Sequence, residues 1–76
     1  MSIALVLINT ETGVEEKVLE KLKSIKNVKE AFIVYGVYDI IVKVEADDLE
    51  ELRDVISTRI RRVEGVRSTV TLIVIS

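Results

Sequence analysis

The sequence has no cysteine, no histidine and no proline, and its aromatic side chains amount to two tyrosines and one phenylalanine. The missing cysteine excludes disulfides and thiolate metal sites. The missing histidine removes the commonest transition-metal ligand and the usual general base near neutral pH. No metal and no cofactor is therefore expected. Long apolar runs are missing as well: the longest spans residues 3–8, against roughly 20 residues needed to cross a bilayer. No basic segment precedes an apolar run with a small-residue cleavage site, so no signal peptide and no membrane partner is expected. A reducing, cytoplasmic setting fits these absences. With a formal net charge of -2 and no basic face, direct nucleic-acid binding through phosphate neutralisation is not expected either.

What remains is a chain of 76 residues with 32% charged side chains, enough for one domain spanning 1–76. A domain of this size buries only about 60% of the surface its unfolded chain exposes. Small domains of that kind usually rely on a disulfide, a metal or a partner subunit. With the first two excluded, self-association is the remaining support. Glutamine is absent too, while Glu, Lys, Arg, Val and Ile are plentiful. That bias matches proteins of thermophiles, in which thermolabile side chains are thinned and charged ones enriched.

Six segments follow one another with short connections. Residues 3–8 are apolar throughout, as in a strand buried on both faces. From about Gly13 to Ser24, Val14, Val18, Leu22 and Ile25 recur at helical spacing, with Glu and Lys on the opposite face. Thr12 and Glu15 have capping-box spacing, and Asn27 is a plausible stop. Residues 28–35 and 38–45 are β-branched and aromatic, separated by Gly36-Val37, which reads as a hairpin. Leu49, Leu52, Val55, Ile56, Ile60 and Val63 form the apolar stripe of a second helix starting at Asp47 or Asp48. Its last turns carry Arg59, Arg61 and Arg62, which complement the helix dipole, and Gly65 ends it. Residues 66–75 form a last strand. The order β-α-β-β-α-β with right-handed crossovers defines an α+β ferredoxin-like sandwich, an antiparallel four-stranded sheet with two helices on one face.

The face that the helices leave open is also apolar. On the first strand Ile3, Leu5 and Leu7 alternate with Ala4, Val6 and Ile8; on the last, Val70, Leu72 and Val74 alternate with Ile73 and Ile75. Left to water, that face would be a large sticky patch. A homodimer formed through the sheet is expected, with a charge at Val6 or Ile73, whichever is on the open face, disrupting it.

The catalytic inventory is thin, and the chain reads as a binding module, not an enzyme. No Ser sits in a nucleophile elbow, the three glycines are scattered, and most charges belong to outer helix faces. One local cluster stands out, Tyr35-Gly36-Val37-Tyr38-Asp39. Asp is disfavoured in strands, yet Asp39 begins one otherwise rich in Ile and Val. Its carboxylate either caps the turn through backbone N–H groups or accepts a hydrogen bond from a ligand ammonium, beside turn amides that hold a ligand carboxylate. Ser68, Thr69 and Thr71 form a second polar group in an apolar strand.

With these residues the whole chain resembles the effector-binding (RAM) domain of the Lrp/AsnC family of leucine-responsive and asparagine regulators. Tyr35-Gly36-Val37-Tyr38-Asp39 is similar to that family's G-x-x-D turn ahead of an apolar strand. The run from Val63 to Thr71 is similar to its PGV-x-x-T-x-T approach to the last strand, with Glu64 where Pro is common. Members of the usual type carry an N-terminal helix-turn-helix, whereas this chain begins at the first strand and looks like a stand-alone version. The resemblance implies sensing of an amino-acid effector at contacts between dimers, in a ring of dimers, with Tyr35, Gly36, Val37, Tyr38, Asp39 and Thr69 lining the site. It also implies transcription regulation through mixed oligomers with full-length Lrp/AsnC-type regulators, or service to amino-acid metabolism. The competing readings are an ACT-like regulatory domain, a ligand-free assembly domain, and an enzyme of the dimeric α+β barrel kind.

Overall fold

The computed structural model describes residues 1–75, and Ser76, the last residue of the expected unit, lies outside them. Its elements are β1 (Ser2–Thr10), α1 (Glu15–Lys23), β2 (Val28–Ile33), β3 (Ile40–Ala46), α2 (Leu49–Val55) and β4 (Val66–Ile73), with a π-helical turn over Ile56–Ile60 continuing α2. The strands form one antiparallel sheet in the order β2-β3-β1-β4. This is the ferredoxin-like arrangement that the alternation of periods 2 and 3.6 predicts.

Strand register sorts the sheet into two faces, because paired residues point the same way. On the helix-covered face the rows read Val28–Val44–Ala4–Ile73, Ala31–Val42–Val6–Thr71 and Ile33–Ile40–Ile8–Thr69 from β2 to β4. Ala4, Val6, Ile8, Ile40, Val42 and Val44 are fully buried there, under Val18 and Leu22 of α1 and under Leu52, Val55, Ile56 and Ile60. The helices lie over β1, β2 and β3, so Thr71 and Ile73 on the edge strand β4 stay exposed.

On the open face one row, Phe32–Ile41–Leu7–Val70, is apolar across all four strands. The next, Glu30–Lys43–Leu5–Leu72, is charged on its β2 and β3 half and apolar on its β1 and β4 half. Val6 and Ile73 both lie on the helix side, because Val6 pairs with Thr71 and Ile73 with Ala4. Neither can therefore serve as the open-face probe, a role that falls to Leu5 or Leu72.

The start of α1 departs from the sequence expectation by local backbone geometry, whereas α2 starts at Asp48 as expected. The chain turns at Gly13, with φ +89, so α1 begins after Val14, whose side chain caps nothing. Thr12 is thereby displaced from the cap position and its box with Glu15 does not form. At α2 a reciprocal pair of capping bonds forms around Asp48. Asp48 Oδ1 accepts from the Glu51 N–H at 2.8 Å, and Glu51 Oε1 accepts from the Asp47 N–H at 3.4 Å. Asn27 does not end α1, which stops at Lys23. Instead its Nδ2 donates to the Glu45 carbonyl at 2.8 Å and ties the start of β2 to the end of β3.

The π-helical turn has a local cause. Thr58 Oγ1 and Ser57 Oγ both donate to the Asp54 carbonyl, at 2.7 and 3.3 Å. Hydroxyls that bond back onto a helix carbonyl compete with the backbone ladder and loosen it. The Arg61 N–H then reaches back five residues to the Ile56 carbonyl at 3.0 Å. The wider turn keeps Ile56 and Ile60 both in the core.

Gly65 is required where it stands. Its φ is +101, and a Cβ there would lie 2.7 Å from Val18 Cγ2 and 3.1 Å from Val14 Cγ2. Only glycine lets the entry to β4 pass this close under α1. Its carbonyl accepts from the Glu11 N–H at 2.8 Å, which fixes the ends of β1 and β4 side by side.

Candidate functional site

The expected hairpin turn is longer than two residues. β2 ends at Ile33 and β3 begins at Ile40, and the Val34 N–H closes the connection on the Asp39 carbonyl at 2.9 Å. Inside that loop Tyr35, Gly36 and Val37 are exposed, and Tyr38 and Asp39 are half-buried. Among the described residues, the N–H groups of Tyr35, Gly36, Val37 and Tyr38 donate to no protein acceptor. The loop therefore offers a set of unpaired donors at the surface, the chemistry that receives an anionic group.

Asp39 is held on β1 at two points. Its N–H donates to the Ile8 carbonyl at 2.9 Å. Its Oδ2 accepts from the Thr10 N–H at 2.8 Å and from Thr10 Oγ1 at 3.4 Å. Thr10 is 6% exposed, so this oxygen is committed to structure. Oδ1 makes no hydrogen bond with the described residues. The two readings of Asp39 thus divide between its two oxygens, one engaged with β1 and one available.

Asp39 lines two clefts. The first, about 530 Å³, is lined by Glu15, Glu16, Ile33, Val34, Tyr35, Gly36 and Asp39. The second, about 400 Å³, is lined by Asn9, Thr10, Thr12, Asp39, Arg67 and Ser68. The structure therefore brings Tyr35, Gly36 and Asp39 together. Val37 and Tyr38 sit in the same loop without lining either cleft. Thr69 pairs with Ile8 on the helix-covered face, so that β1 lies between it and Asp39. Ser68 and Arg67 are the β4 residues that share a cleft with the carboxylate.

Asn9, Thr10, Thr12 and Arg67 are residues that sequence reasoning left out of the site. Their place follows from the β1–β4 register. Asn9 pairs with Ser68 but Thr10 pairs with Val66, so Arg67 is the extra residue of a β-bulge. Asn9 Nδ2 donates to Ser68 Oγ at 3.4 Å beside it. A bulge has no composition signature of its own. The one visible sign is an arginine inside the Val63–Thr71 motif.

Among the described residues no grouping of His, Cys, Asp or Glu is arranged to hold a metal ion. No helix among them is long and apolar enough to cross a membrane.

An antiparallel sheet backed by two helices, with a polar cleft at the hairpin end, defines a ferredoxin-like α+β domain. A family model described as the Lrp/AsnC ligand binding domain matches residues 3–76. The chain belongs to that family. Hypothetical protein PHS023 from Pyrococcus horikoshii is 45% identical and superposes with a TM-score of 0.93, covering 100% of this chain and 92% of that one. E. coli AsnC is 29% identical with a TM-score of 0.92, over 99% of this chain and 51% of AsnC. The homocitrate synthase of Sulfurisphaera tokodaii is 44% identical over 73 residues, which are 95% of this chain. The chain spans only 16% of the length of that curated relative.

Proposed function

We propose that the chain is an amino-acid-sensing regulatory module that assembles through the open face of its sheet. One observation carries this reading. Asp39, half-buried and fixed by β1 through Oδ2 while Oδ1 makes no hydrogen bond with the described residues, lines a cleft with Tyr35 and Gly36 of the turn whose four N–H groups are unpaired. A free amino acid has the complementary pair, an ammonium for Asp39 and a carboxylate for the amides around Gly36 to Tyr38. Membership of a family described by ligand binding supports the same class of function. Thr69 lies on β4, with β1 between it and Asp39, where a bound ligand's far end would meet it.

The apolar row on the open face supports a homodimer as the smallest unit, and a ring of dimers would bring hairpin ends of neighbouring copies together. The module acts on partners: full-length Lrp/AsnC-type regulators, as the likeness to AsnC suggests, or metabolic enzymes. The second partner class is favoured by a specific observation, that a homocitrate synthase carries a segment 44% identical to this chain. In either case the module regulates rather than catalyses, from residues 1–76 as one sensing and assembly unit in the cytoplasm.

The test is calorimetry of Asp39→Asn against the twenty amino acids. Asn keeps an acceptor oxygen for the Thr10 N–H and loses the charge. A lost charge-assisted hydrogen bond costs roughly 1.5–3 kcal/mol, or about ten- to a hundredfold in affinity. The expected result is that loss with an unchanged melting temperature of the free protein. Unchanged affinity with a lowered melting temperature would return Asp39 to a turn cap and leave a ligand-free assembly domain as the better reading.

A further inference from the structure

The cleft on the β4 side of Asp39 holds a cation that the proposed contacts do not use. Arg67 lines it together with Asn9, Ser68 and Asp39. Arginine beside a carboxylate ordinarily closes an ion pair, yet among the described residues the one ion pair is Lys43–Glu45. Arg67 is also the bulged residue of β4. Bulges re-aim side chains and recur beside functional sites. The bulge sets Arg67 in the lining of the same cleft as Asp39, together with Ser68 and with Asn9, whose amide donates to the Ser68 hydroxyl at 3.4 Å.

We infer that Arg67 sets effector specificity by receiving the side-chain carboxylate of an acidic amino acid. This rests on the reading of Asp39 as the ammonium acceptor. If the α-carboxylate is held by the turn amides on one side of Asp39, the ligand side chain extends to the other side, into the Arg67 cleft. The guanidinium fork matches a carboxylate in bidentate fashion. Asn9 and Ser68 add donors to the same group. An aliphatic side chain would leave these polar groups desolvated without partners, and a lysine side chain would meet a like charge, so both are disfavoured.

The experiment is calorimetric titration of L-glutamate, L-aspartate, L-leucine and L-lysine into the wild-type protein, Arg67→Ala, Arg67→Glu and Asp39→Asn. The wild type is expected to bind the acidic pair at least about tenfold more tightly than leucine or lysine. Arg67→Ala is expected to erase that preference, and Arg67→Glu to reverse it towards lysine, with melting temperatures of the free variants unchanged. If all four amino acids weaken equally in Arg67→Ala, the arginine grips the α-carboxylate and the inference fails. If wild type prefers leucine or lysine, it fails as well, while a loss of affinity in Asp39→Asn would leave the sensing reading standing. If no amino acid binds the wild type at millimolar concentration, both the inference and the sensing reading fall.

Discussion

Leu5 and Val6 are neighbours on β1 and occupy opposite environments. Val6 is fully buried under the helices, whereas Leu5 is 37% exposed on the open face. Beside Leu5, Val70, Leu72 and Phe32 are 40%, 48% and 54% exposed. The chain has spent the same residue types on both faces, but its helices cover only one. The covered face is a finished core, and the open face is half of one. A small domain whose own core is marginal thus keeps in reserve an apolar surface that only another apolar surface can satisfy.

The sharpest way to break this comparison is to place the same charge on each side. Val6→Asp puts a carboxylate among Val18, Leu22 and Leu52 with no partner within the core. An unpaired buried charge costs several kcal/mol, comparable with the entire stability of a domain this small. Far-UV circular dichroism is expected to show no cooperative melt. Leu5→Asp is expected to keep the native far-UV spectrum and shift sedimentation from dimer to monomer at micromolar concentration. A Leu5→Asp protein that remains dimeric would remove the open face from the assembly.

The division between the faces was legible in the alternation of β1, since both sets were visibly apolar and two helices can cover only one. Which set was which was not legible. Hydropathy is equal on the two sides, and the choice is made by register and by where the crossovers lie. The same holds for the site. The Tyr35–Asp39 cluster declared itself through an Asp in a β-branched run. Arg67 and Thr10 did not, because their proximity to Asp39 comes from a one-residue bulge and from pairing across 29 positions of sequence. The misplaced cap of α1 has a related cause. Thr12 and Glu15 have the right spacing, but Gly13 between them takes a left-handed conformation and moves the start.

A second test sharpens the covered face without adding charge. Gly65→Ala keeps the residue apolar and small, yet its Cβ would meet Val18 Cγ2 at 2.7 Å in a backbone with φ +101. The valine methyl is branched and buried, so it cannot swing aside as a flexible chain end would. Strain at a left-handed position and overpacking each cost about 1–3 kcal/mol. Chemical denaturation is expected to show a loss of at least about 2 kcal/mol, the two terms together, with an unchanged slope. A loss under about 0.5 kcal/mol would mean that α1 rides loosely on the β4 entry, and that the covered face is less closely packed than its burial indicates.

The smallest effect belongs to the charged half of the open face, and it decides how much of that face a partner covers. Lys43 stands between Glu30 on β2 and Leu5 on β1, and its Nζ lies 3.6 Å from Glu45 Oε2. The side chains are 36% and 22% exposed. An ion pair this accessible contributes about 0–1 kcal/mol, so Lys43→Ala is expected to change folding stability by less than about 1 kcal/mol. Its effect on association separates two arrangements. If a second sheet covers the Phe32–Ile41–Leu7–Val70 row and the Leu5–Leu72 half-row, Lys43 sits at the rim. Rim charges alter association rate and salt sensitivity more than affinity. The dimer dissociation constant by analytical ultracentrifugation would then stay within about threefold of wild type. If the partner sheet extends over β2 and β3, Lys43 is desolvated on dimerisation and its removal leaves Glu45 without its ion-pair partner. Leaving a buried charge unpaired weakens association by about 2 kcal/mol or more, roughly thirtyfold or beyond. The expected result is the first, because the apolar residues of the open face are concentrated on β1 and β4 and its charges on β2 and β3.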